Sequence, residues 1–149
     1  MPFVGYDTAG PKNRAIQSAT GEVVVVLDCG IVCPPKFLEA HARAHGLADV
    51  MVAGPVLGWE NEVETPFWWG IDPLRCPDRP AVPPEYSDPR DRMLAGNLGT
   101  PWMLFWGCNC SVRAESLSRS GGFDPDLWAW GWDDLELGYR LYRQGCQYR

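Results

Sequence analysis

The strongest hydrophobic pattern along the chain is an unbroken aliphatic run, Val23–Leu27, that ends at Asp28. A run of β-branched residues of this length predicts a fully buried strand, as in a parallel sheet. A helix that starts at Cys33-Pro34-Pro35 and continues to His45, and a second short strand over residues 49–53, follow it. This strand–helix–strand order predicts a parallel crossover. Asp28 then lies at the C-terminal strand edge, where open α/β sheets bind ligands.

The remaining periodic segments predict three more helices, over residues 12–19, 113–120 and 133–144. Two more strands are predicted over residues 102–106 and 108–112, with a break at Gly107. Asp133 and Glu136 have the spacing of a capping box, which predicts Asp133 as the N-cap of the last helix.

Residues 54–101 form a long segment without a sustained period, apart from a short helix predicted within residues 88–97. It carries nine prolines and three tryptophans, Trp59, Trp68 and Trp69. A loop of this length is usually a functional lid or an insert, and its tryptophans favour a lid that packs onto something. We therefore predict one α/β domain over residues 1–149, a mixed sheet flanked by helices, with residues 54–101 as loop or lid.

The net charge of the chain argues against one class of protein. Thirteen basic residues stand against 19 acidic ones, a net charge of −6, which argues against a nucleic-acid binder. No apolar stretch approaches the roughly 20 residues of a membrane span. Met1–Gly10 has neither the basic start nor the long apolar segment of a secretory signal, so we expect a cytoplasmic location.

Cysteine and histidine leave several interpretations open. The six cysteines are compatible with free buried thiols, with disulfides or with a metal site, although none has the Cys-x-x-Cys spacing. His41 and His45 are four residues apart, as in a helical metal pair, but the glutamate of the zinc motif is missing. We predict a packed or surface pair.

The segment from Phe123 to Arg140 is the most distinctive chemically. It combines three tryptophans with glycine and with paired acidic residues at a predicted helix start. Indole faces accept the apolar faces of sugar rings, and carboxylates accept protons from sugar hydroxyls. This composition favours a carbohydrate site.

Four segments also match the motifs of one family in order. They are residues 11–22 with the strand that follows, Asp28-Cys29-Gly30, residues 107–111 (Gly-Cys-Asn-Cys-Ser), and residues 121–141 with Gly-Gly-Phe-Asp and Trp-Gly-Trp-Asp-Asp-Leu-Glu-Leu-Gly. The chain resembles the later part of a family 2 glycosyltransferase of the GT-A fold, with a galactosyltransferase-like C-terminal motif. The resemblance implies a partial GT-A, Rossmann-like sheet.

The resemblance also implies roles for individual residues. Asp134 aligns with the general base of inverting members, and Asp133 stands where the family has a glutamate that contacts sugar. Asp28 aligns with the first aspartate of Asp-x-Asp, near nucleotide and metal. Lys12 and Asn13 fall in the nucleotide-side motif. The residues expected on the acceptor or sugar side are Trp130, Gly131, Trp132 and Asn109.

The implied reaction is transfer of a hexosyl group from a nucleoside-diphosphate sugar to a hydroxyl of a carbohydrate or glycosylated acceptor, assisted by Mn²⁺ or Mg²⁺. Two departures bear on it. Gly30 replaces the second aspartate of Asp-x-Asp, and the family's first, nucleotide-binding third is absent. We therefore expect a gene fragment, a partner chain that supplies this third, or loss of catalysis. The alternative hypothesis is a catalytically degenerate module that binds carbohydrate or a partner chain.

Overall fold

The computed structural model describes residues 7–46, 48–56, 88–96, 99–127 and 131–149. Four strands form one open sheet, β1 (Val23–Leu27), β2 (Val50–Ala53), β3 (Asn109–Arg113) and β4 (Gln147–Tyr148), in the order β1-β3-β2-β4. Five α-helices accompany it, α1 (Ala9–Ser18), α2 (Phe37–His45), α3 (Pro89–Ala95), α4 (Ala114–Ser120) and α5 (Trp132–Arg143), with a 3₁₀ helix at Pro101–Leu104. This mixed sheet flanked by helices confirms the predicted α/β class and is consistent with part of a GT-A domain.

The sheet confirms the predicted parallel crossover, from β1 through α2 to β2. The prediction that Val23–Leu27 is fully buried is wrong, because β1 is at the edge of the sheet in this strand order, with four half-buried residues and an exposed Leu27. β1 and β2 run in the same direction but are not neighbours, because β3 lies between them and pairs antiparallel with both. β4, which the sequence did not predict, pairs parallel with β2. A two-residue strand has no period to detect, and pairing across this distance in the chain is set by tertiary packing rather than by local pattern.

Strand β3 divides the molecule into two layers because its side chains alternate between the faces of the sheet. Cys110 and Val112 belong to an apolar core shared with helix α5. Asn109 and Ser111 point to the other face, where they bond to side chains of helix α2. The core residues are Ala9, Met51, Phe105, Cys110, Val112, Leu117, Phe123, Leu137, Leu141 and Cys146.

The prediction of a strand over residues 102–106 is wrong. Pro101 begins the 3₁₀ helix Pro101–Leu104 instead. The apolar side chains of the segment still pack in the interior, where Leu104 and Phe105 are fully buried. A short apolar run cannot be assigned to strand or helix by its pattern alone. Gly138 of α5 lets the two segments approach closely, since a Cβ atom there would lie 2.8 Å from the Phe105 Cβ atom.

Two helix starts also differ from expectation. Helix α1 begins at Ala9 rather than Lys12, and Asp7 Oδ1 accepts a hydrogen bond from the Gly10 N–H at 2.8 Å. The N-cap of α5 is Gly131, whose φ of 82° is in the left-handed region that glycine tolerates, and not Asp133. Asp133 lies one residue inside the first turn.

The histidine pair is buried, and the hydrogen bonds fix its protons. Asn109 donates through Nδ2 to the Pro55 carbonyl at 3.1 Å, so its Oδ1 accepts from His41 Nε2 at 3.0 Å. His41 Nδ1 then accepts from the Ser111 hydroxyl at 2.8 Å, and that hydroxyl accepts from His45 Nε2 at 2.9 Å. His45 Nδ1 is a buried acceptor with no hydrogen-bond partner in the described part of the chain. This network is structural, as the pair's spacing without a glutamate predicted.

A buried ion pair closes the base of the long segment 54–101. Arg90 Nη2 lies 2.6 Å from Asp88 Oδ2, and the two side chains are 3% and 2% exposed. Asp88 also accepts from the Val56 N–H at 2.8 Å, and Arg90 donates to the Gly54 carbonyl at 2.7 Å. The start of the segment, at Gly54 and Val56, is thereby joined to Asp88 and Arg90 further along it. The helix predicted within residues 88–97 is present as α3, whereas Trp59, Trp68 and Trp69 lie outside the described residues.

The cysteines in the described ranges carry free thiols, two of them on the more exposed segment before α2, Cys29 and Cys33, and three buried, Cys108, Cys110 and Cys146. Cys76 lies outside these ranges. None of the helices in the described ranges is long and apolar enough to cross a membrane.

Candidate functional site

A cleft of about 590 Å³ opens between the start of α1, the end of β1 and the start of α5. Its volume is within the range of small-molecule sites. Its lining residues are Asp7, Thr8, Pro11, Lys12, Asp28, Trp106, Cys108, Gly131, Trp132, Asp133, Asp134 and Leu135. Six residues expected in the site from the sequence therefore share one cleft.

Asp134 is held at the cleft by both of its carboxylate oxygens. Oδ2 accepts from the Gly107 N–H at 2.9 Å, and Oδ1 lies 3.0 Å from Lys12 Nζ. Gly107 leaves room for this approach, because a Cβ atom at that position would lie 2.7 Å from Asp134 Oδ1 and would displace the carboxylate. Burial raises the pKa of Asp134 above its ordinary value, although the Gly107 N–H and the Lys12 cation act in the opposite direction.

The pKa of the neighbouring residue, Asp133, is shifted in the opposite direction, below its ordinary value. Its side chain is 2% exposed, and its Oδ2 accepts from Lys12 Nζ at 2.8 Å and from the Thr8 hydroxyl at 2.9 Å. Burial acts to raise its pKa, but these two hydrogen bonds hold the pKa below its ordinary value. Two adjacent carboxylates thus lie in environments that move their pKa values apart, a pattern typical of acid–base sites.

Two indoles border the carboxylates. Trp132, the first residue of α5, is 66% exposed. Trp106 is half-buried and donates through Nε1 to the Met103 carbonyl at 2.8 Å. An exposed indole beside carboxylates offers an apolar face and hydrogen-bond acceptors together, as a sugar ring requires.

Asp28 lines the cleft, is exposed, and directly follows β1. Gly30, two residues on, has a φ of 87° and supplies no side-chain oxygen. In the described ranges no three histidine, cysteine or acidic side chains come together as metal ligands. Mg²⁺ and similar ions are usually held by one or two carboxylates and by substrate phosphates. Asp28, followed by Gly30, does not make a protein-only metal site in the described ranges, and a divalent cation held there would need further oxygen ligands such as those of a diphosphate.

The structure places the two predicted asparagines outside the cleft. Asn13 accepts from the Phe123 N–H at 2.8 Å and donates to the Phe123 carbonyl at 2.7 Å. Asn109 is 5% exposed and bonded to His41 and Pro55. Both amides are therefore used inside the fold. Trp130 lies outside the described residues.

Sequence reasoning missed Thr8, Gly107 and Trp106 as parts of the site. Gly107 opens the Gly-Cys-Asn-Cys-Ser segment, residues 107–111, and Trp106 directly precedes it, so this segment was the available signal. Thr8 has no signal in the sequence, because its contact with Asp133 crosses 125 positions of the chain.

The motifs, in their order along the chain, are those of glycosyltransferases of the GT-A, family 2-like kind, and comparison with known proteins supports this resemblance. A family model described as the N-terminal domain of galactosyltransferase matches residues 97–149. The resemblance inferred from the motifs is thereby confirmed.

Individual relatives agree with the class. The chain is 30% identical over 155 residues to validoxylamine A glucosyltransferase of Streptomyces hygroscopicus subsp. jinggangensis, a match that covers 95% of this chain and 36% of that protein. It is 26% identical to chondroitin synthase of Escherichia coli, over 97% of this chain and 24% of that protein. It is 22% identical to hyaluronan synthase of Pasteurella multocida, over 97% and 17% respectively. The chain thus spans about a third or less of the length of these relatives.

Proposed function

We propose that the cleft transfers a hexosyl group from a nucleoside-diphosphate sugar to an acceptor hydroxyl, with inversion at the sugar carbon and Asp134 as the general base. The observation that carries the proposal is Asp134 itself. Its carboxylate is anchored by the Gly107 N–H and Lys12, borders the cleft, and has a pKa raised by burial. A general base is most effective when its pKa approaches the working pH.

Donor binding is proposed on the side of Asp28. Four carboxylates and one ammonium group line the cleft, so a bare diphosphate would meet net negative charge. We therefore propose that Asp28 shares Mn²⁺ or Mg²⁺ with the diphosphate, where the cation would neutralise the leaving group's charge. Trp132 and Asp133 are proposed to contact the sugar or the acceptor. The names of the relatives share sugar transfer without sharing one product, so the proposal extends to the reaction class and not to a particular acceptor.

A transfer assay on the 149-residue chain tests this proposal. Nucleoside-diphosphate hexoses are offered with and without Mn²⁺, with mono- and oligosaccharide acceptors, and release of the nucleoside diphosphate is measured. Asp134→Asn is expected to lower turnover by about 10²-fold or more, with thermal stability retained. Asp126→Asn is the matched control, because Asp126 is exposed and does not line the cleft. Equal activity in Asp134→Asn and in the unchanged chain would refute the base.

The second candidate is a catalytically degenerate module that binds carbohydrate or a partner chain. The observation that favours it is Gly30, which leaves Asp28 as the one carboxylate of the Asp-x-Asp segment. This candidate predicts saccharide binding by calorimetry that neither a nucleotide sugar nor Mn²⁺ changes. Turnover with any nucleotide sugar would exclude it.

A further inference from the structure

The Lys12 ammonium group lies between the two adjacent carboxylates of the cleft. Its Nζ atom is 2.8 Å from Asp133 Oδ2 and 3.0 Å from Asp134 Oδ1. The same ammonium lies over the Phe123 ring, 4.5 Å from the ring centroid. A lysine side chain is ordinarily flexible, but these three contacts, all with residues more than 100 positions away in the chain, hold this one in place.

The two carboxylates need such a cation. They occupy successive positions in the first turn of α5, and their side chains are 2% and 16% exposed. Burial and, to a lesser extent, the Asp133 charge act to raise the pKa of Asp134, so a cation beside it favours the ionised form. The other donors to them in the described part of the chain, the Thr8 hydroxyl and the N–H groups of Gly107 and Asp134, are neutral. Lys12 is therefore the charged group that both carboxylates share in the described part of the cleft.

We propose that Lys12 is a positioning residue for the acceptor side of the reaction, holding Asp133 and Asp134 in one fixed orientation rather than contacting the nucleotide. The inference rests on the proposed function in one respect, the role of Asp134 as base. Helix α1 thereby acts on the chemistry through its first turns, although Lys12 precedes Asp134 by 122 positions. An acceptor hydroxyl would meet an Asp134 carboxylate that cannot rotate away.

The first experiment needs no turnover. The carboxyl-carbon NMR signals of Asp133 and Asp134, assigned with Asp→Asn variants, are titrated in the unchanged chain and in Lys12→Met, Lys12→Gln and Lys12→Arg. Loss of the cation should raise the pKa of Asp134, because burial and the Asp133 charge are then less opposed. Lys12→Arg should restore the original titration. Asp7 and Asp28 also line the cleft and are followed in the same spectra. Lys36→Met is the control, because Lys36 is exposed and lies outside the cleft lining.

The second experiment separates positioning from nucleotide contact. In Lys12→Met, kcat should fall by about 10²-fold, as for a misplaced catalytic group, while the KM for the donor and its Kd change little. The acidic limb of the kcat–pH profile should move to higher pH, and Lys12→Arg should recover most of kcat. Thermal unfolding of each variant verifies that it is folded.

The outcomes distinguish this inference from the proposed function. An unchanged Asp134 titration in both neutral Lys12 variants, or a weakened donor Kd with kcat intact, would overturn the positioning role. Absence of turnover in the unchanged chain, together with the expected NMR shifts, would instead overturn the proposed function and leave the Lys12 arrangement established.

Discussion

Replacing Arg90 by methionine should destabilise the fold strongly, because it leaves the Asp88 carboxylate buried without its cation. The two side chains are 3% and 2% exposed, and Arg90 also donates to the carbonyls of Gly54 and Leu104. Removing one partner of a buried ion pair costs about 3–5 kcal/mol. Domains of this size are stable by about 5–15 kcal/mol in total, so the loss is a large fraction. The expected fall in Tm is about 6–20 °C, at about 2–4 °C per kcal/mol.

The stability lost in Arg90→Met should depend on pH, because the ionisation of Asp88 depends on pH. Burial acts to raise the pKa of Asp88, but hydrogen bonds from Arg90 and from two backbone N–H groups hold it below its ordinary value. In the unchanged chain this carboxylate therefore contributes stability above the unfolded pKa of about 3.9, and the contribution is lost as the pH falls through the folded pKa. Without Arg90, burial dominates and the protonated form is favoured. The deficit of Arg90→Met should thus be smaller at acidic than at neutral pH.

Urea denaturation followed by tryptophan fluorescence measures both effects. Arg92→Met is the matched control, since Arg92 is an exposed arginine two residues further along the same helix. The double variant Asp88→Asn with Arg90→Met should recover part of the lost free energy, because no charge is then buried. A loss below about 1 kcal/mol, or one equal to that of Arg92→Met, would show that the pair does not hold the base of the segment.

Three further predictions concern the cleft and the two layers beside it. Gly107→Ala places a Cβ atom 2.7 Å from Asp134 Oδ1, so transfer should fall by about 10²-fold while the thermal transition is largely kept; unchanged turnover would contradict the anchoring. Gly138→Ala places a Cβ atom 2.8 Å from the Trp102 carbonyl oxygen. This overpacking should lower the free energy of unfolding, measured by urea denaturation, by about 1–3 kcal/mol. An increase, as expected if helix propensity dominated, would contradict the prediction. Burial lowers the pKa of His45, so the unfolded chain binds more protons and stability should decline as the pH falls below about 6.5. His45→Gln should weaken that decline between pH 7.5 and 5.5, measured by the same unfolding assay.

Local pattern predicted the elements whose own residues determine them. The aliphatic run Val23–Leu27 is strand β1, and the acidic start and basic end of the last segment produce helix α5, Trp132–Arg143. The order of strands could not be read locally, because β3 pairs with β1 through residues more than 80 positions apart, such as Leu27 and Asn109. The capping-box spacing of Asp133 was misleading for a related reason. Its carboxylate is taken by Lys12 and Thr8, which the fold brings from the other end of the chain.

The difference between local pattern and contacts made by the fold also explains which site residues the motifs could identify. A motif marks residues that recur together, and this includes residues that hold the site as well as those that line it. Asn13 bonds to both backbone groups of Phe123, whose ring lies beneath the Lys12 ammonium, and that ammonium bridges Asp133 and Asp134. We therefore expect Asn13 to act on the carboxylates only indirectly, since it does not line the cleft. Changing it should therefore disturb the titration of Asp134 through Lys12, whereas a residue that contacted the nucleotide directly would disturb donor affinity first.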